Sequence, residues 1–213
     1  MNEYTAWHND LVGARIIEAL SGNGFRAVYC RTAKDAATEI LRLIPDPVTI
    51  GVPGSWTLRE LGVLETLEER GNVILNAGIP GLDEEERMEI WRGQLTCDVL
   101  LTGSNAVTAD GCLVNTDAIG NRVAAMIFGP GKVIVVAGIN KVVKNLEEAQ
   151  ARIRNVAAPI NNKRLERPNP CVKTGECMDC RGPARICNVT SILHKCPRFT
   201  EIHVILVGEA LGF

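Results

Sequence analysis

Lys132-Val133-Ile134-Val135-Val136-Ala137 is apolar at every position after the first. A strand with one solvated face alternates apolar and polar residues. A short unbroken apolar run fits a strand buried on both faces, as in a parallel sheet covered by helices. Five further segments read as strands: Phe25 to Tyr29, Val48 to Ile50, Val73 to Leu75, Asp98 to Thr102 and Ile202 to Val207. Helical spacing lies between them. Residues 5–21 carry a stripe of Trp7, Leu11, Ala14 and Ile17, closed by Ser21-Gly22-Asn23-Gly24. A second helix runs from Ala33 to Ile44 and stops before Pro45 and Pro47, which cannot continue it. Helices follow from near Thr57 and over 60–70. Asp83 with Glu86 forms a capping-box start for the helix bearing Met88, Trp91 and Leu95. The last helix, 143–158, places Leu146, Ala149, Ile153 and Val156 on one face before Pro159. Apolar strands alternating with helices predict an α/β fold in three layers around a mostly parallel sheet.

The composition agrees. The 213 residues are 46% hydrophobic and 23% charged with a net charge of −2, which argues against disorder, collagen and coiled coil. A chain of this length buries roughly 70% of its unfolded surface. Aromatic residues make up only 4%, so the core must rest on Val, Ile, Leu and Ala. No apolar stretch approaches the roughly 18–20 residues of a membrane span. The opening MNEYTAWHNDL has early acidic residues and no apolar core of a signal peptide, so a cytoplasmic protein is expected.

Cysteine is the outlier. Five of the eight lie between Cys171 and Cys196, inside a segment, 160–199, with little periodicity, four prolines and a net charge of +5. A loop this long within a compact domain needs something to tie it down. Five residues separate Cys171 from Cys177, two separate Cys177 from Cys180, six separate Cys180 from Cys187, and eight separate Cys187 from Cys196. The two-residue gap lets a pair of thiolates face one metal group, while Gly175 and Gly182 permit the chain to wrap. Zinc favours paired short gaps, and a second Cys-x-x-Cys is missing. An iron–sulfur cluster tolerates uneven spacing, and Lys173, Arg181 and Arg185 would offset its negative charge. Iron–sulfur, as a four-iron cluster, is therefore favoured over zinc. A redox dithiol is less suited, because the pair sits in a Pro- and Arg-rich loop rather than at a strand-to-helix start. Cys30, Cys97 and Cys112 lie in or beside strands and read as core thiols, and His194 is a minor ligand candidate near Cys196.

Two Gly-rich turns follow strands. Gly51-Val52-Pro53-Gly54-Ser55-Trp56-Thr57 opens a helix, and its amides and hydroxyls suit an anion; such turns also occur for conformational reasons alone. Thr102-Gly103-Ser104-Asn105 repeats the theme and leads through a hairpin-type turn, Ala109-Asp110-Gly111, to Asn115-Thr116-Asp117 and Gly120-Asn121-Arg122. Polar residues at strand ends are where open α/β sheets bind ligands. Asp117 suits acid–base work but also an ion pair with Arg122. Lys141 suits a catalytic amine or an anion contact but also a solvated helix start, and Glu209 sits where a loop would follow the last strand.

The segments GSNAVTADGCLVNTD, GNRVAA and KVIVVAGINKVV, with GVPGSWTLRELG, resemble the LUD-domain family of lactate-utilization proteins, in particular its small protein C-like form. CVKTGECMDCRGPARICN resembles a cysteine motif found at the C-terminus of a subset of that family. The resemblance runs over essentially the whole chain, as a single domain of 1–213 with 160–199 as a Cys-rich metal-binding insertion before the last strand. It implies a fold like ribose-phosphate isomerase, glucosamine-phosphate deaminase and the coenzyme A transferases. It also implies a ligand pocket lined by Gly54, Ser55, Gly103, Ser104, Asn105, Asp110, Gly111, Asp117, Asn121 and Arg122, with Asn140 and Lys141 on its rim. Cys171, Cys177, Cys180 and Cys187 match the cysteine motif, and Cys196 lies outside it.

These readings give an iron–sulfur redox or regulatory component, an oxidoreductase part linked to oxidation of lactate or a related hydroxy acid. The expected partners are a small anion or hydroxy acid, redox-partner proteins and further copies of the chain, with no nucleic acid and no membrane. The alternatives are a non-redox isomerase- or transferase-like enzyme, or a ligand-binding subunit, acting on a phosphorylated or acyl-thioester molecule while zinc or a cluster serves structure alone.

Overall fold

The computed structural model describes residues 2–213. In chain order its elements are α1 (Glu3–Gly22), β1 (Arg26–Cys30), α2 (Ala33–Leu43), β2 (Thr49–Gly51), α3 (Trp56–Leu61), α4 (Val63–Glu69), β3 (Val73–Leu75) and α5 (Glu84–Gly93). There follow β4 (Val99–Gly103), β5 (Ala106–Thr108), β6 (Leu113–Asp117), α6 (Asn121–Ile127), β7 (Lys132–Gly138) and β8 (Val142–Val143). The chain ends with α7 (Leu146–Arg152), α8 (Ala158–Arg164), α9 (Cys171–Thr174), β9 (Val189–Leu193) and β10 (Glu201–Val207).

The six strands expected from apolar runs form one sheet, in the order β1-β10-β7-β4-β2-β3, and every pairing is parallel. Side chains on successive residues of a strand face opposite ways. Ile134 and Val136 accordingly join a core with Ile40, Leu58 and Leu67 from α2, α3 and α4. Val133, Val135 and Ala137 join a second core with Ile16 and Leu20 from α1 and Ala125 and Met126 from α6. Both faces are buried, which is why the strands do not alternate.

That second face is covered by more than helices. A four-stranded sheet, β8-β5-β6-β9, contributes Val107, Leu113 and Leu193 to the same core. Its β5–β6 hairpin closes on the anticipated turn, where Gly111 donates to Thr108 O at 2.9 Å and has a left-handed φ of 81°. A β carbon on Gly111 would lie 2.7 Å from the Ala19 backbone of α1. Gly111→Ala is therefore expected to cost at least about 2 kcal/mol, measured by urea unfolding, through strain and backbone collision together. A cost below about 0.5 kcal/mol would mean that the hairpin does not rest on α1.

Three local expectations change. The buried face of α1 is Asn9, Gly13, Ile16 and Leu20, and Trp7 and Leu11 are exposed. Bare backbone at Gly13 lets Tyr29 pack against the helix, which turns the other apolar stripe outward. The two helices expected from near Thr57 and over 60–70 form as α3 and α4, but the second starts only at Val63, because Gly62 separates them with a left-handed φ of 64°. Pro159 does not end the last long helix. A π-helical turn, Ile153–Ala157, precedes it and places the proline in the first turn of α8, where a missing N–H is tolerated. The wider turn also shifts the buried stripe to Ala149, Ile153 and Ala157, leaving Val156 exposed. With α8 and β9 formed, the irregular part of 160–199 shrinks to 165–188, apart from the single turn of α9, and to 194–199. Among the described residues, no helix is long and apolar enough to cross a membrane.

Candidate functional site

Strands β2 and β4 end at Gly51 and Gly103, and β7 ends at Gly138, so their C-terminal ends lie on one side of the parallel sheet. A cleft of about 380 Å³ opens there, within the range of small-molecule sites. Of the expected pocket residues it is lined by Gly54, Ser55, Gly103, Ser104, Asn105, Asp117, Asn121, Arg122 and Lys141. Three lie elsewhere. Asp110 and Gly111 form the hairpin turn against α1, where Asn23 donates to both of their carbonyls. Asn140 holds the C-terminal segment, donating to Gly212 O and accepting from Leu211 N.

The local structure explains why these residues meet. Ser55 caps α3 by accepting from Leu58 N at 3.4 Å. Gly103 brings β4 against that turn; a β carbon there would sit 2.8 Å from Ser55 Oγ. Asp117, at the end of β6, accepts from Val123 N at 3.0 Å and from Arg122 Nε and Nη2 at 2.8 and 2.6 Å. Arg122 donates further to Asn105 Oδ1 and Thr116 O. Asp117 and Arg122 thus form a half-closed ion pair that fixes the cleft wall, the blander of the two roles their spacing allowed. Glu209 accepts from Ala33 N and so serves the start of α2.

The cleft also contains residues that sequence reasoning missed. Thr57, Arg87, Arg164, Arg167 and Phe213 line it, and Ile153 and Ala157 of the π-helical turn face it. Trp56 sits at the rim with Arg59 5.0 Å and Arg164 5.9 Å from its ring centre. Only Thr57 had a local signal, as the second hydroxyl of the Gly-rich turn. Among the lining residues five are basic (Arg87, Arg122, Lys141, Arg164 and Arg167) and one, Asp117, is acidic. Such an imbalance in a concave site attracts anions.

Lys141 is the unusual member. It is only 3% exposed, and its Nζ donates to Thr57 Oγ1 at 2.7 Å. Burial, reinforced by the guanidinium groups of Arg152 and Arg122, pulls its pKa down to about 7. Arg152 is itself buried deeply enough that its pKa is lowered, and it donates to Asn105 O and Asn140 O.

Cys171, Cys177, Cys180 and Cys187 line one small pocket beside the cleft, together with Asn162, Asp179 and Arg185. Asp179 adopts a left-handed φ of 47°, and its amide donates to Cys177 Sγ at 3.4 Å. That turn curls the Cys-x-x-Cys pair round the Cys177 sulfur. Arg185 ties the loop by donating to Cys180 O, Cys187 O and Asp179 Oδ1. Lys173 and Arg181 are exposed. Burial raises the pKa of Cys171 and of Cys187, and the neighbouring thiols push both the same way, so a bound cation is what would hold them as thiolates.

The donor set suits a thiolate-bound metal group. Among the described residues, however, no three His, Cys, Asp or Glu side chains are grouped as ligands of a single ion. A tetrahedral zinc site with Zn–S bonds of ~2.3 Å requires closely gathered sulfurs, whereas a cluster spreads its ligands further apart. The pocket among the thiols is about 20 Å³, room for one water-sized group. Most of the 175–188 loop that borders it is exposed and outside regular structure. Cys196 is separate from the four, donating to Thr200 O at 3.2 Å, and His194 contacts Cys112. Cys30, Cys97 and Cys112 are buried thiols, as expected, and burial pushes the Cys30 pKa up to about 11.

No curated protein matches the chain. Among solved structures it is similar to a DUF162 family protein from Deinococcus radiodurans, with a TM-score of 0.54 and 16% identity over 93% of this chain and 98% of that one, a likeness of fold. The LUD-domain model matches residues 13–207. The chain therefore belongs to the LUD-domain family, which is associated with lactate utilization.

Proposed function

We propose that the protein is an iron–sulfur component in the oxidation of lactate or a related small hydroxy acid. One observation carries the reading: Cys187, with Ile186 and Ala158, lines both the strand-end cleft and the cysteine pocket. A ligand in the cleft and a metal group held by Cys171, Cys177, Cys180 and Cys187 would therefore be neighbours. A four-iron cluster bound there would supply one-electron redox chemistry. The chain's own residues would do the rest. The basic lining draws in a carboxylate, the Asp117–Arg122 pair keeps the wall rigid, and Lys141 at about pKa 7 can hold or release a proton near a bound hydroxy acid.

Protein purified without oxygen is expected to be brown, with iron and sulfide in equal amounts and broad visible absorption. Cys177→Ser is expected to lose most of that iron, and Cys196→Ser, which alters a thiol outside the pocket, to retain it. Colourless protein with stoichiometric zinc would overturn the redox reading.

Zinc content would favour the second reading, a non-redox enzyme or binding subunit whose metal only staples the loop. Lys141 supports that alternative specifically, because a buried amine near neutrality can act as an acid–base group without any metal.

A further inference from the structure

Lys141 presents a charge problem that the fold leaves open. Its ammonium is buried, its hydrogen bond goes to a neutral hydroxyl, and among the described residues no salt bridge joins it to a carboxylate. The charged groups facing it come from three helices. Arg122 of α6 is already neutralised by Asp117. Arg152 of α7 spends its hydrogen bonds on two carbonyls and brings no counter-charge. Glu60 of α3 is the one acid that favours the charged amine, and it is occupied with Trp56 Nε1 and Gly212 N. The remaining side is the cleft, lined by Arg87, Arg164 and Arg167.

Glycine brings bare backbone directly against these polar groups. A β carbon at Gly103 would lie 2.8 Å from Ser55 Oγ and 3.6 Å from Thr57 Oγ1. One at Gly212 would lie 2.5 Å from Thr57 Oγ1 and 3.2 Å from Lys141 Nζ. The Ser55 and Thr57 hydroxyls and the Lys141 amine thus lie together in the wall of the positively charged cleft, with the backbone of Gly103 and Gly212 packed against them.

We propose that Lys141, with Ser55 and Thr57, receives a compact oxyanion group of the ligand, carboxylate or phosphoryl, and takes up a proton from solvent as that group binds. The inference rests on reading the cleft as the ligand site and is independent of what the cysteines hold. The proton balance is simple: a neutral amine and a solvent proton become an ammonium paired with the anion, and no other bond changes. The sign follows from linkage. Below about pH 7 the free amine is already charged and binding is insensitive to pH; above it, each bound anion must bring a proton, so affinity falls as pH rises.

Isothermal titration in two buffers of different ionisation heat tests this directly. The probes are L-lactate and pyruvate for a carboxylate, and sulfate for a phosphoryl group, because sulfate does not titrate near neutrality. The expected result is uptake of roughly half a proton at about pH 7, and affinity falling up to about tenfold per pH unit above it. Lys141→Met should bind at least about tenfold more weakly with no uptake. Uptake with lactate or pyruvate assigns a carboxylate. Uptake with sulfate alone upholds the proposal, assigns a phosphoryl group and counts against a simple hydroxy acid. Binding without proton uptake, wild-type affinity in Lys141→Met, or no binding of any probe would overturn it. Metal analysis of the same sample reads the cysteine proposal separately.

Discussion

Lys141→Met is expected to raise the melting temperature by about 6–20 °C at about pH 6. Folding takes an amine with an ordinary pKa of 10.5 into surroundings where it falls to about 7. Between those values the unfolded chain holds a proton that the folded chain lacks, so wild-type stability increases with pH across that window. Below about pH 7 the folded protein carries the full cost of a buried ammonium beside Arg152 and Arg122, on the order of 3–5 kcal/mol. Methionine fills similar volume and removes the charge. The gain should be greatest at about pH 6 and shrink as the pH rises towards about pH 10, where the folded lysine is already neutral and the unfolded one is beginning to lose its proton. Thermal melts of both proteins across that range check it. Equal melting points at pH 6, or a gain that does not change with pH, would show that Lys141 carries no such strain.

Asp117→Ala is expected to act in the opposite direction, lowering stability by about 3–5 kcal/mol and the melting temperature by about 6–20 °C. The side chains of Arg122 and Asp117 are 15% and 7% exposed, and the carboxylate meets both the guanidinium and the Val123 amide. Removing it leaves a buried cation unpaired and a helix start without its acceptor. The double variant Asp117→Ala/Arg122→Met should recover part of the loss, because no buried charge is then stranded. A melting point within about 1 °C of wild type for Asp117→Ala would release Asp117 from the wall and return it to the list of acid–base candidates.

These two residues show how far the sequence could be read. Both were singled out by their position at strand ends, and both line the cleft. Their roles depended on neighbours from other segments. Asp117 meets Arg122 five residues on, a spacing from which an ion pair could be weighed. The influence of Arg152 on Lys141, and the Thr57 hydroxyl that holds it, come from contacts between α7, the end of β7 and α3 that no local pattern announces. Asp110 and Gly111 misled for a related reason. They form a polar turn after a strand, as ligand loops do, but their strand belongs to the second sheet and the turn faces α1. That sheet escaped notice because β5 and β8 are three and two residues long and β6 buries Asn115. Buried polar residues on short strands look like loop.

What the sequence determined by itself was what short-range chemistry fixes. Six apolar runs specified a parallel sheet buried on both faces. The Asp83–Glu86 capping box began α5 where its spacing required, with bonds of 2.8 and 2.9 Å. The spacing marked the cysteines of 171–196 as a metal-binding group, the motif's family resemblance implied Cys171, Cys177, Cys180 and Cys187, and those four line one pocket while Cys196 does not. The tertiary structure alone decided which face α1 buries, how Pro159 sits inside a helical run, and that the cysteine pocket shares Cys187 with the strand-end cleft. The physical reason is the range of the forces. Strand patterning and caps are settled within a few residues, whereas burial, electrostatic neighbours and the meeting of two sites depend on segments far apart in the chain.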